Sequence, residues 1–132
     1  MMGLFLGNLG LVDLRLGAHD EAADRFSEAI ATQARKGGDR RLEAYLTAWR
    51  AAARLPVCGP DAAAQAVEQA RAVLAPLGDT AGLALVALCG AMIDPATREE
   101  ALRLARHPDE SGLAPCRASS DVRVAIQLLE QH

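Results

Sequence analysis

Aromatic side chains are scarce, with one Trp, one Tyr and two Phe in 132 residues. Val and Ile are also few, so signals for β-strands are weak. Positive charge is not in excess: 14 Lys and Arg face 17 Asp and Glu, for a net charge of −3. That balance removes the basic footprint on which nucleic-acid binding depends. No apolar run reaches the roughly 18 residues a membrane helix needs, and Asp13 and Arg15 interrupt the first one. The opening Met1-Met2-Gly3-Leu4-Phe5-Leu6 has no basic segment ahead of it, so no signal peptide is expected. Cys58, Cys89 and Cys116 lie far apart and are odd in number, which points to free thiols in a reducing, cytoplasmic setting. No Cys or His pair has zinc-site spacing, and His19, His107 and His132 are equally scattered. No metal and no cofactor are expected.

What is present is helical. Ala and Leu dominate; Ala, Leu, Arg, Glu and Gln are strong helix formers, and Gly, Pro and Asp punctuate the chain at helix-length intervals. A first helix is predicted from about Met2 to Leu16, with Leu4, Phe5, Leu9, Val12 and Leu16 as its apolar stripe and Gly17 as its stop. A second starts near Asp20 and buries Ala22, Ala23, Phe26, Ala29, Ile30 and Gln33. Asp39 opens a third, with Leu42, Tyr45, Leu46, Trp49, Ala52 and Ala53 inward, until Pro56-Val57-Cys58-Gly59 breaks the chain. Pro60-Asp61 opens a fourth, carrying Ala63, Val67, Ala70, Val73, Leu74 and Leu77. Pro76 and Gly78 end it. The segment from Thr80 to Ile93 is apolar almost all round, so it belongs between neighbours, with Asp79 as its cap. Thr97 and Glu100 have the spacing of a capping box for a sixth helix. Residues 108–118 read as a loop. Ser119-Ser120-Asp121 then open a last helix with Val124, Ala125, Leu128 and Leu129 inward.

Few residues form a constellation that carries chemistry. Asp20-Glu21 and Glu99-Glu100 are paired carboxylates, but each pair falls in a first helical turn, where acids answer the helix dipole. Ser119, Ser120 and Asp121 with His107 lack the Gly-x-Ser-x-Gly frame of a nucleophile and read as helix-capping groups. Gly3, Gly7 and Gly10 follow no strand and precede no Lys-Ser/Thr, so they form no phosphate loop; Gly7 and Gly10 mark close helix packing. Arg35-Lys36 with Arg40-Arg41 is the one basic cluster and reads as a solvated helix end.

The helix junctions repeat. Gly38-Asp39-Arg40 returns as Gly78-Asp79-Thr80, and Phe5-Leu6 as Tyr45-Leu46 and Leu85-Val86. Ala22, Phe26 and Ala29 correspond to Ala63, Val67 and Ala70. A fixed period of about 40 built from two helices signals stacked helical hairpins. Leu9-Gly10, then Gly17, Ala22, Phe26 and Ala29, resembles the tetratricopeptide repeat (TPR). The stretch Gly7-Asn8-Leu9-Gly10-Leu11-Val12 with Gly17 and Asp20-Glu21-Ala22 is similar to long-period TPRs of bacterial multidomain signalling and regulatory proteins. Asp13 departs from that pattern, standing where the family has a tyrosine or a small apolar residue. Trp49-Arg50 departs too, standing where it has Leu-Gly.

The resemblance implies an all-α, right-handed helix-hairpin solenoid, a TPR-like α-α superhelix of about three helix pairs plus a C-terminal capping helix. Residues 1–132 would then be one domain. Repeats would cover about 2–37, 39–77 and 79–107, followed by the loop and a capping helix at 119–131. It also implies a concave face lined by the first helix of each repeat: Leu4, Asn8, Leu11 and Arg15, then Ala44, Thr47, Ala51 and Arg54, then Ala84, Ala87 and Ala91. Of these, Asn8, Leu11, Arg15, Thr47, Ala51 and Arg54 are the partner-binding candidates. The third set has no Lys or Arg, unlike TPRs that grip chaperone tails by a carboxylate. The expected function is non-enzymatic protein–protein interaction in bacterial signalling or regulation, with a protein or peptide as partner and neither nucleic acid nor membrane. Because the chain opens inside a repeat helix, it is expected to be the tail of a larger protein, or to self-associate through an exposed N-terminal helix face. Two alternatives stay open. A sensor module would enclose a small ligand or peptide in a Leu/Ala-lined pocket with Asn8 and Arg54. A small helical enzyme would need convergent titratable residues.

Overall fold

The structure is a computed structural model that describes residues 2–35, 37, 40–106 and 117–130. It is all-helical, with no strand among the described residues. The α-helices are α1 (Met2–Arg15), α2 (His19–Arg35), α3 (Arg40–Leu74), α4 (Thr80–Ile93), α5 (Arg98–Arg106) and α6 (Arg117–Glu130). Short 3-10 turns at Ala75–Leu77 and Pro95–Thr97 follow α3 and α4. Helix α2 packs on α1 and α3, and α4 packs on α3, α5 and α6. The nearly all-apolar α4 thus lies between neighbours, as its composition requires.

Helix α3 is two arms, 40–58 and 60–74, hinged at Gly59 (φ 84, ψ 166). That left-handed, extended backbone is open to glycine and strained for other residues. Helical geometry runs through Pro56 as far as Cys58, so the four-residue break expected from sequence narrows to Gly59. Pro60 then opens the second arm, a position where a missing N–H costs nothing. The turn from α1 to α2 is a Schellman motif: Gly17 N–H donates to the Leu14 carbonyl at 3.1 Å and Ala18 N–H to the Asp13 carbonyl at 2.8 Å.

The first helix is rotated from its expected phase. Leu11 and Leu14 are in the core, while Val12 is 51% and Leu16 78% exposed. The buried stripe runs through Gly7, Gly10, Leu11 and Leu14, the spacing of one helix face. Its cause is Phe26 of α2, fully buried against Gly10: a Cβ on Gly10 would stand 2.6 Å from the ring. The face with the least side chain turns inward so that the ring can approach the backbone. The other side of Phe26 stacks on Trp49 of α3, with ring centroids 6.4 Å apart and planes 14° from parallel. Such a pair adds about 0.5–1.5 kcal/mol beyond area burial. Phe26 therefore joins α1, α2 and α3.

A second junction joins α3 to α4. Asp79 caps α4, accepting from Gly82 N–H at 3.0 Å through Oδ1, while Tyr45 donates its hydroxyl to Oδ2. Gly82 lies against the Tyr45 ring and the Asp79 carboxylate, with no room for a Cβ. Between α1 and α2, Arg25 Nε donates to Asp13 Oδ2 at 2.7 Å, a partly exposed ion pair of the class worth about 0–1 kcal/mol. The unexpected Asp13 is thereby engaged by the next helix.

Two expectations about helix starts are corrected. The last helix begins at Arg117, so Ser119, Ser120 and Asp121 lie within its opening turns rather than before them. The Thr97–Glu100 capping box is not formed: the Thr97 hydroxyl donates to the Asp94 carbonyl at 2.9 Å, and Glu100 engages Arg103. A 3-10 turn occupies the place of the expected first α-turn. The Gly38-Asp39 junction and most of the 108–118 loop lie outside the described residues.

Phe26→Ala should lower unfolding free energy by about 3–5 kcal/mol. Gly10→Ala should lower it by about 1–3 kcal/mol through overpacking. In Gly10→Ala/Phe26→Ala the glycine penalty should vanish, because the clashing ring is gone. Denaturant titration of the three variants checks this, and additive losses would refute the contact.

Candidate functional site

A cleft of about 530 Å³ gathers the ends of several helices. The last turn of α1 and its Schellman turn supply Leu14, Arg15, Leu16 and Gly17. The first arm of α3 supplies Ala52, Leu55 and Pro56, α4 supplies Ala91 and Met92, and α6 supplies Leu128 and Leu129. His19, Pro95 and Arg98 complete the lining. The walls are aliphatic, and the polar lining groups on them are Arg15, His19 and Arg98. Among the described lining residues there is no Asp or Glu.

Local structure fixes each polar group. Arg15 sits in the last helical turn of α1, where a cation suits the dipole. His19 opens α2, with Nδ1 3.0 Å from the Gly17 carbonyl oxygen. Arg98 is placed by the cap before it. Asp94 N–H closes α4 on the Gly90 carbonyl at 2.8 Å, and Asp94 Oδ1 accepts from Ala96 N–H at 3.2 Å. That 3-10 turn delivers Arg98 as the first residue of α5, half-buried, with its Nε buried and lacking a hydrogen-bond partner among the described residues.

A second, smaller cavity of about 270 Å³ lies between the arms of α3, lined by Arg40, Glu43, Ala44 and Thr47 on one arm and Gln69, Ala70 and Val73 on the other.

The six partner-binding candidates do not converge. Arg15 lines the cleft and is exposed. Thr47 lines the inter-arm cavity, its hydroxyl donating to the Glu43 carbonyl at 2.8 Å. Leu11 and Ala51 are buried, as are Ala44, Ala84 and Ala91 of the wider concave set. Arg54 is exposed and stands one turn from half-buried Arg50. Burial, and secondarily the charge of Arg54, pull the Arg50 guanidinium below its ordinary pKa. The side chains of Leu4 and Asn8 lie outside the description. Sequence reasoning missed His19, Leu55, Met92, Arg98, Leu128 and Leu129 as neighbours of one cleft. Only the register of the repeats could have suggested part of this, since Leu14, Ala52 and Ala91 are spaced at nearly the sequence period.

The described residues hold no group of three or more His, Cys, Asp or Glu side chains able to ligate a metal. No described helix is long and apolar enough to cross a membrane. Cys58 is exposed and Cys89 buried, neither in a disulfide.

On the outer surface, Arg71 Nε donates to Glu68 Oε2 at 2.9 Å and Arg103 Nε to Glu100 Oε2 at 3.1 Å. These hydrogen bonds, then the cations' charges, hold both carboxyls below the ordinary glutamate pKa. A lowered folded-state pKa means that the pairing is present above the unfolded value and lost as pH falls through the folded one. A carboxyl-carbon NMR titration should give Glu68 and Glu100 midpoints below the ordinary value. Arg71→Ala should return Glu68 to it while leaving Glu100 unchanged.

Comparison of the chain with protein-family models, curated proteins and solved structures gives no match.

Proposed function

We propose that this chain is a TPR-like helix-hairpin module that binds a protein partner and catalyses no reaction, serving a cytoplasmic bacterial signalling or regulatory assembly. The finer architecture in this reading is a right-handed solenoid: α1 with α2, then the two arms of α3, then α4 with α5, capped by α6. Support comes from the order of packing from α1 to α5, each helix lying against the next in sequence, with α6 closing mainly on α4. Further support comes from α1, the first arm of α3 and α4, which bring equivalent residues to one cleft. A stack of hairpins, each unable to bury its apolar face alone, produces both features.

The observation that carries the binding role is the pair Val12 and Leu16. Val12 lies in the last turns of α1 and Leu16 just past its end, 51% and 78% exposed, and Leu16 continues into the aliphatic cleft. Single exposed hydrophobics are ordinary; a pair continuous with an apolar concavity is the form of a docking strip. The partner best matched is an amphipathic helix that lays an apolar i, i+4 face along α1. A second copy of this chain is the competing occupant.

Helical-peptide display against the wild-type chain, with Val12→Asp/Leu16→Asp as the counter-target, tests this. Enrichment of amphipathic sequences that lose about tenfold or more in affinity on the double variant supports the reading. Selected peptides indifferent to that variant contradict it. Wild-type dimerisation abolished by the same change, seen by sedimentation, would assign the strip to self-association instead.

A further inference from the structure

We infer that the cleft is a ligand site of its own, taking a small amphiphile with an aliphatic body and a single carboxylate head. This goes beyond partner docking on α1 and does not depend on it. Three observations converge.

The walls are aliphatic: Leu55, Met92, Leu128 and Leu129 face a volume of about 530 Å³, within the roughly 300–1,000 Å³ typical of small-ligand sites. Met supplies a flexible surface that moulds to an alkyl chain.

The charge there has one sign. Arg15 and Arg98 are cations and His19 is titratable, with no acid among the described lining residues. Arg15 is explained by the structure alone, since it ends α1 and answers the negative end of that helix. Arg98 is not. It opens α5, the end of a helix where a cation is disfavoured.

The third observation is a donor in want of an acceptor. Arg98 Nε is buried with no hydrogen-bond partner among the described residues. A buried donor on a charged group is costly to leave unmet, and the free energy is recovered when the guanidinium turns into the cleft and an oxyanion there accepts from it. The guanidinium edge presents its donors in a fork that matches a carboxylate. A ligand with its chain between α4 and α6 and its carboxylate on Arg98 meets every feature of the cleft. A neutral alcohol of equal length meets only the walls.

Calorimetric titration with decanoate, decanol and inorganic phosphate provides the test, with NMR mapping of methyl groups and of the Arg98 Nε–H. Decanoate should bind about tenfold or more tighter than decanol. It should shift the Met92, Leu128 and Leu129 methyls, and it should move the Arg98 Nε–H where decanol does not. Arg98→Met should erase the preference while leaving decanol affinity unchanged. Equal affinity for decanoate and decanol would overturn the inference. So would phosphate binding as tightly as decanoate, or methyl shifts away from the cleft. Should Arg98→Met fail to fold by circular dichroism, the wild-type Nε–H decides: a resonance that ignores decanoate rules the site out. Loss of peptide binding by Val12→Asp, a position that does not line the cleft, with decanoate binding intact would separate this site from the docking strip.

Discussion

The ring of Phe26 is the constraint from which the rest of the arrangement follows. It lies on the bare backbone of Gly10 and stacks on Trp49, so one side chain sets the spacing of three helices. With only four aromatic residues in the chain, using two of them at one junction concentrates packing where α1, α2 and α3 meet. The requirement that α1 turn its glycines toward that ring has an outward consequence. It rotates Val12 and Leu16 into solvent, and those residues are the proposed docking strip. Core geometry and candidate function are two faces of one helix phase.

A second junction repeats the same logic with polar chemistry. Tyr45 reaches Asp79, Asp79 caps α4, and Gly82 leaves space for both. Here too a glycine admits an aromatic ring from a neighbouring helix. Between them the two junctions hold the last turns of α1, of the first arm of α3 and of α4 at one end of the molecule. The cleft lies where those ends meet α6, so its walls are core side chains that have run out of neighbours.

Much of the fold was legible because helix formers, caps and periodic small residues agree with one another. The stripes of α2 and of the first arm of α3, the burial of α4 and the capping role of Asp79 all follow from spacing. The phase of α1 did not, because the hydrophobic pattern Leu9, Val12, Leu16 is as regular as the buried one. What decides between them is a ring from another helix seeking glycine, and that is a tertiary preference. The site was less legible. Arg98 and Leu128 are distant in sequence and meet only through the packing of α5 and α6 on α4. The concave candidates rested on a resemblance whose lining positions here are largely filled with alanine and buried, which leaves Arg15 and Ala91 as the members at the cleft.

The measurement closest to the central claim is a set of nuclear Overhauser contacts from the Phe26 ring in isotope-labelled protein. The account predicts simultaneous contacts from that ring to the α-protons of Gly10 and to the indole of Trp49. Contacts from Phe26 to the side chains of Val12 or Leu16 in place of Gly10 would mean that α1 packs on its other face. The phase, the strip and the cleft described above would then all be wrong together.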